Sequence, residues 1–385
     1  MRISNRSGII WGVVALLVVI AGIWLYQAVA GNRDRNSNVA KKPQEESSQS
    51  TQTLIMQGMD VFRYDTYGNE YYFTDTLKLP FETLLATPAD TREKTLGVMT
   101  DNTGKVVGIQ EMTGDDGKKR WGITCAFCHS VVNQNGERLD GIPNTRLNVG
   151  AILALSPALD NAKKKQLLSW GPGRLDVTFN NEAEDGVNNP AVMEAAFGTK
   201  GIKYFNWNGS FESAAERSHF TMDIVGHGNG EFKPPEKWGI TNQDLGDGID
   251  LIGPKMPAVV AYLESIDPPA PNPGSFDQAR AASGETIFEG KANCTKCHTP
   301  PLFTNNEKVK PEVVGTDPAH ANSPVFKDGT YKVPQLRGVW AVAPYFHDGS
   351  AKTLMDVVNH YNQQFKLDLS EAEKSDLVEY LKSLY

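Results

Sequence analysis

Cysteine is scarce in this 385-residue chain. There are four, and all of them lie in two Cys-x-x-Cys-His pentads, Cys125-Ala126-Phe127-Cys128-His129 and Cys294-Thr295-Lys296-Cys297-His298. None is left for a structural disulfide, so the fold is not a disulfide scaffold. Positive charge is also short. Lys and Arg number 38 against 46 Asp and Glu, a formal net charge of -8, which argues against a nucleic-acid binder. Signals of a compact regular sheet are weak as well: 35 Gly and 22 Pro point to long irregular connections. Long apolar stretches are confined to the start of the chain.

That stretch runs from Gly8 to Tyr26, after Arg2 and Arg6. It has about the length of a membrane-crossing helix and is long for a signal-peptide core. The positive charge before it predicts a cytoplasmic N-terminus with the body exported. Ala28-Val29-Ala30 reads as a signal cleavage site, which would release the body into the periplasm or the medium; both readings export it. Residues 1–31 are therefore expected to be an anchor or signal, and the polar stretch 32–52 a solvated tether. A first domain is expected over 53–266. Asp267-Pro268-Pro269-Ala270-Pro271-Asn272-Pro273-Gly274 cannot continue a helix, so 267–275 reads as a linker before a second domain at 276–385.

The two halves look like copies. Gly58-Met59-Asp60-Val61-Phe62 opens the first and Gly284-Glu285-Thr286-Ile287-Phe288 the second. The first closes on Val259 to Ile266, the second on Leu377 to Leu384. The closing segment carries apolar residues at helical spacing, Leu377, Tyr380, Leu381 and Leu384, behind a capping box of Ser370 and Glu373. A Gly one turn before a Phe lets one helix approach another closely. The first half is almost twice as long, with its extra residues mostly between His129 and Gly253.

Each pentad supplies two thiols for the vinyl groups of a haem and an imidazole for one face of its iron, all on a single turn. A four-thiolate zinc site or a dithiol redox pair would use the same cysteines, but neither explains a His directly after both pairs. The expectation is two covalent haem c groups, attached at Cys125, Cys128, Cys294 and Cys297 with His129 and His298 as proximal ligands. The fold class expected is mainly α: two cytochrome c-like domains, the first enlarged by irregular insertions, plus an N-terminal transmembrane helix.

The sixth iron ligand decides whether a haem only passes electrons or also meets peroxide or oxygen. In the second domain the candidates are His320, His347, Met355, His360 and Tyr361. In the first they are His219, Met222 and His227 within one short stretch, with Met193 and Met256 further off. The glycines around His227 would let the chain pass close to a macrocycle, and equally suit an ordinary loop.

Lys332-Val333-Pro334-Gln335-Leu336-Arg337-Gly338-Val339-Trp340, Ala343-Pro344-Tyr345-Phe346-His347-Asp348-Gly349-Ser350 and Thr353-Leu354 resemble the C-terminal signature of the bacterial di-haem cytochrome c peroxidases and their MauG-type relatives. In the first half, Gly122 to Ser130, Arg138-Leu139-Asp140-Gly141 and Leu147-Asn148-Val149-Gly150 look more like a less-characterised branch near the rubber oxygenases. The peroxidases place a Met ligand at a fixed interval after His-Asp-Gly; the same interval here ends on Tyr361, and MauG-type proteins are similar in using Tyr. The resemblance gives His347 a supporting role at the haem edge. It implies that the N-terminal haem meets peroxide, although the peroxidase segment that releases a His has no match here. Electrons between such haems often pass a Trp, for which Trp170 is the candidate by order along the chain, with Trp121 and Trp340 as alternatives. Arg146, Arg174 and Arg337 are candidates for pairing with propionates.

Three functions follow as expectations. One is a peroxidase-like oxidoreductase acting on hydrogen peroxide or oxygen. Another is a membrane-tethered electron carrier. The third, an oxygenase of a large hydrophobic substrate, is disfavoured by chain length. The partners expected are a small redox protein or a membrane electron-transfer chain, with no nucleic acid, and the membrane itself through the N-terminal helix.

Overall fold

A computed structural model describes residues 50–240, Leu245 and 248–385. The expected anchor or signal, and the tether up to residue 49, lie outside the described residues. Among those described, no helix is long and apolar enough to cross a membrane. Residues 54–385 form one compact unit.

The unit is mainly helical, with small sheets. The first described element is helix α1 over 50–64, which takes in residues 50–52 of the expected tether. Short helices α2 (Phe81–Ala86) and α3 (Ala89–Leu96) lead to a hairpin of β1 (Ile109–Thr113) and β2 (Lys119–Ile123). The first pentad is itself a one-turn helix, α4 (Cys125–His129). A second hairpin, β3 (Ser130–Val132) and β4 (Arg138–Asp140), follows at once. Then come α5 (Val149–Leu153), α6 (Asn161–Trp170), a paired β5 (Arg174–Leu175) and β6 (Ala191–Val192), α7 (Ala214–Phe220) and α8 (Met256–Ser265). The second half has α9 (Gln278–Glu289), the pair β7 (Lys308–Val309) and β8 (Tyr331–Lys332) around the short α10 (Pro311–Val314), then α11 (Leu354–Gln364) and α12 (Glu371–Ser383).

The paired segments at the ends of each half make the same crossing twice. A Cβ on Gly58 would lie 1.9 Å from the Ala258 carbonyl oxygen and 2.7 Å from Tyr262 Cβ; on Gly284 it would lie 2.1 Å from the Asp376 oxygen and 2.8 Å from Tyr380 Cβ. One turn on, Phe62 meets Tyr262 edge-on at 5.5 Å, and Phe288 meets Tyr380 at 5.2 Å. Such a pair adds about 0.5–1.5 kcal/mol beyond burial. Ser370 and Glu373 close the capping box that starts α12.

The halves are laced together by more than the proline-rich segment, and that segment itself packs: Trp340 Nε1 donates to the Pro269 carbonyl. Gln335 and Arg337 donate to the carbonyls of Phe197 and Gly198. Val192 N donates to the His347 carbonyl and Lys332 N to that of Trp207. An aromatic cluster of Phe211, Phe220, Phe232 and Trp238 takes in Val325 and Phe326 from the second half.

Candidate haem sites

Two cavities stand over the two pentads. Cys125, Cys128 and His129 line the first, Cys294 and His298 the second. Counted as room for the centre of a water molecule, they hold about 140 and 230 Å³. The walls are largely apolar: Phe73, Leu77, Phe81 and Phe127 in the first, Phe288, Val358, Leu377 and Leu381 in the second.

The donors suit a covalent haem. Burial pushes the Cys125 and Cys128 thiols up to about 12 and Cys294 to about 11, so the free thiols are uncharged at pH 7. Among the described residues no group of three or more His, Cys, Asp or Glu comes together to hold a metal ion, which separates the two pairs and removes the four-thiolate reading. His298 Nδ1 lies 3.0 Å from the Phe303 carbonyl. A carbonyl only accepts, so Nδ1 carries the hydrogen and Nε2 keeps the lone pair, the orientation an iron ligand needs. Burial, and next the Arg217 charge, lowers His129 to about 4, leaving a neutral imidazole at pH 7.

Helix α11 sets the wall of the second cavity. Thr353 and Asp356 form a capping box at its start, and Leu354, Val357, Val358 and Tyr361, one face at helical spacing, all line the cavity. Tyr361 therefore shares the second cavity with Cys294 and His298, its ring edge-on to Phe346 and stacked on Phe365. Burial raises its phenol to about 12. Its neighbour His360 points elsewhere: Nε2 is 2.7 Å from the Val314 carbonyl. Met355 and His347 line neither cavity; His347 Nε2 lies 3.1 Å from the Tyr331 hydroxyl, and the two rings stack.

In the first cavity the structure brings together Met193, Met222 and His227, and leaves His219 and Met256 out. Met222 belongs to a π-turn, Thr221–Val225, and its Sδ is 3.6 Å from Cys125 Sγ. His227 holds φ 53, and its ring lies flat on Tyr72, centroids 3.5 Å apart. Burial lowers its pKa to about 4.

Several residues stand elsewhere than their order along the chain implies. His320, a candidate ligand for the second haem, lines the first cavity, and its Nε2 is buried with no partner among the described residues. Trp170 is fully buried against Phe179, donates to Asn188 Oδ1 and lines neither cavity. The tryptophan common to both is Trp207, which the spacing of motifs did not single out; its Nε1 donates to the Val192 carbonyl at 2.7 Å. Val192, Met193 and Glu194 are likewise common to both. Arg146 pairs with Glu93 on the surface, Arg337 is held by Gln335 and Gly198, and Arg174 lies in β5; none lines a cavity. The arginine in the first cavity is Arg217, with no carboxylate within ion-pair distance among the described residues.

The comparisons agree with this chemistry. A family model described as RoxA-like, cytochrome c-like, matches residues 330–365. It falls on the second half, in the segment that carries the peroxidase-like signature. Methylamine utilization protein MauG of Methylophilus methylotrophus is 29% identical over 121 residues, 27% of this chain and 36% of that protein. Cytochrome-c peroxidase IdrP2 of Pseudomonas sp. (strain SCT) is 25% identical over 312 residues, covering 69% of this chain and 76% of that one. Cytochrome c551 peroxidase of Nitrosomonas europaea is 31% identical over 110 residues, 26% of this chain and 33% of that one. The chain is related to the di-haem cytochrome c peroxidases and MauG-type proteins. Residues 330–365 match a cytochrome c-like model, a class whose members bind haem covalently. It spans about a third of the length of the MauG relative.

Proposed function

We propose that the chain is an exported di-haem c-type oxidoreductase of the peroxidase and MauG kind. In this reading the C-terminal haem passes electrons and the N-terminal haem reacts with hydrogen peroxide or oxygen. The observation that carries it is the wall the two cavities share, Val192 to Glu194 with Trp207, because it sets both groups within reach of one aromatic ring.

A haem at each pentad supplies iron that exchanges single electrons and, where its sixth position is open, accepts a small oxidant. The protein's residues do the rest. His129 and His298 present neutral imidazoles to the metals. Tyr361 offers a phenol to the second haem, a ligand that favours oxidised iron. Trp207, fixed by its bond to Val192, is the relay in place of Trp170. The Lys332–Glu194 ion pair, 2.5 Å, ties the relay's wall to the second half. The body is proposed to work outside the cytoplasmic membrane, held by the N-terminal helix or freed by cleavage. It would take electrons from a small redox protein or a membrane chain; the net charge of -8 suits a basic partner.

Met193, Met222 and His227 in the first cavity favour a second reading, an electron carrier with both haems fully ligated. Electron paramagnetic resonance of the oxidised and half-reduced protein separates the two. The enzyme reading expects a high-spin signal that changes on adding peroxide. Two low-spin haems in both states would leave only the carrier.

A further inference from the structure

Outside the first cavity lies a second hollow, polar and more open, lined by Gly68, Tyr71, Thr76, Asn181, Glu182 and Asn229. Tyr72, Asn180 and His227 line both hollows and stand between them. Their arrangement is ordered. The Tyr72 and His227 rings stack at 3.5 Å with 12° between their planes. The Asn180 amide donates to the Tyr72 hydroxyl at 2.8 Å, and Lys163 Nζ donates to Asn180 Oδ1 at 2.5 Å. His227 and Asn180 both hold positive φ, 53 and 54. A residue with a Cβ adopts that conformation at a cost, and such strain gathers where a side chain must be aimed.

We propose that this outer hollow is the vestibule of the first haem, and that Tyr72, Asn180 and His227 select a small, uncharged, polar oxidant of the size of hydrogen peroxide. The inference rests on the first cavity holding a haem, as in the function proposed above. Three features set the selectivity. Amides and hydroxyls line the vestibule, so a long apolar substrate gains nothing by entering. The exposed carboxylate of Glu182 opposes anions. The stacked rings leave the passage narrow, and a turn of the Tyr72 ring away from His227 opens it to a molecule of a few atoms. Lys163, through Asn180, holds the tyrosine in the closed position and acts as a positioning residue.

The test reads ligand arrival rather than turnover. Ferric, haem-loaded full-length protein is mixed with hydrogen cyanide in a stopped-flow instrument, and the shift of the Soret band gives the association rate at the first haem. Thr76→Trp fills the vestibule from an exposed position outside the haem cavity, and Tyr72→Ala removes the partition. Thr76→Trp is expected to slow association by about tenfold or more and Tyr72→Ala to speed it by a similar factor, as for other gated sites. Reduction potentials should be unchanged in Thr76→Trp. Glu182→Trp serves as a second blocking variant should Thr76→Trp fail to fold. Wild-type association rates in both the blocking and the opening variants would overturn the proposal, as would a first haem that binds no cyanide. If the variants behave as expected but peroxide is not consumed, the vestibule stands and the peroxidase reading falls.

Discussion

Asp223 is fully buried beside the first cavity, where Oδ2 accepts from Phe232 N at 2.6 Å and Oδ1 has no partner among the described residues. Burial, reinforced by the charges of Glu182, Asp250 and Glu231, raises its pKa to about 6. The folded state therefore holds its proton more tightly than the unfolded chain does, whose carboxyl titrates near 3.9. The stability this contributes is full below the unfolded value and is lost as pH rises through about 6. Between pH 7 and 4, wild-type protein should gain thermal stability relative to Asp223→Asn, which cannot titrate. Parallel Tm profiles for the two would remove Asp223 from the account. At the second cavity, Tyr361→Phe keeps the ring between Phe346 and Phe365 but deletes the phenol oxygen. Ligation by Tyr361 predicts a changed spin state and a raised potential at the C-terminal haem, with little loss of stability. An unchanged paramagnetic resonance spectrum would reject it.

At the scale of elements, the repeated helix crossing carries the clearest energetic statement. Gly284 stands where any Cβ would meet the Asp376 carbonyl at 2.1 Å, backbone that cannot swing aside. Gly284→Ala should cost about 1–3 kcal/mol, the usual penalty for overpacking, read as a lowered Tm. An unchanged melt would mean that α9 and α12 slide apart freely. This crossing was legible in the sequence because glycine, phenylalanine and the closing helix recur in the same order in both halves. The pentads were legible for a different reason: their chemistry is complete within five residues. Tyr361 was reached through the resemblance, by the interval that follows His347-Asp348-Gly349, and the capped helix α11 does carry it to the second cavity. Trp207, Glu194 and Arg217 were not, and His320 was reached only as a candidate for the other haem, because their place at the cavities is set by packing between the halves and not by local pattern. His320 shows the difficulty: it lies in the second half by sequence and at the first cavity in space. The signal that could have found Trp207 is the run Phe205-Asn206-Trp207-Asn208-Gly209-Ser210, which parallels Tyr345-Phe346-His347-Asp348-Gly349-Ser350 in the other half, an aromatic opening each turn and Asn or Asp preceding Gly-Ser. The bridges Phe205 to Phe211 and Tyr345 to Ala351 close the two turns alike.

For the whole molecule, the question is whether the two halves work as one. Their joint is not a flexible hinge: Val192 N bonds to the His347 carbonyl, Trp207 Nε1 to the Val192 carbonyl, and Lys332 both pairs with Glu194 and donates its N–H to the Trp207 carbonyl. Each of these bonds joins the wall between the cavities to itself or to the second half, so the ring of Trp207 is held in register with both sides. A relay needs that fixity, since electron transfer depends steeply on the gap between donor and acceptor. Trp207→Phe should therefore slow the exchange of electrons between the haems several-fold, with both optical spectra and both potentials close to wild type. It can be read by reducing one haem with a flash and following the other. Trp170→Phe is the matched control, because Trp170 is equally aromatic, more deeply buried and in contact with neither cavity. If Trp170→Phe slowed the exchange and Trp207→Phe did not, electrons would be taking a path through the core of the first half, and the shared wall would be only a structural joint.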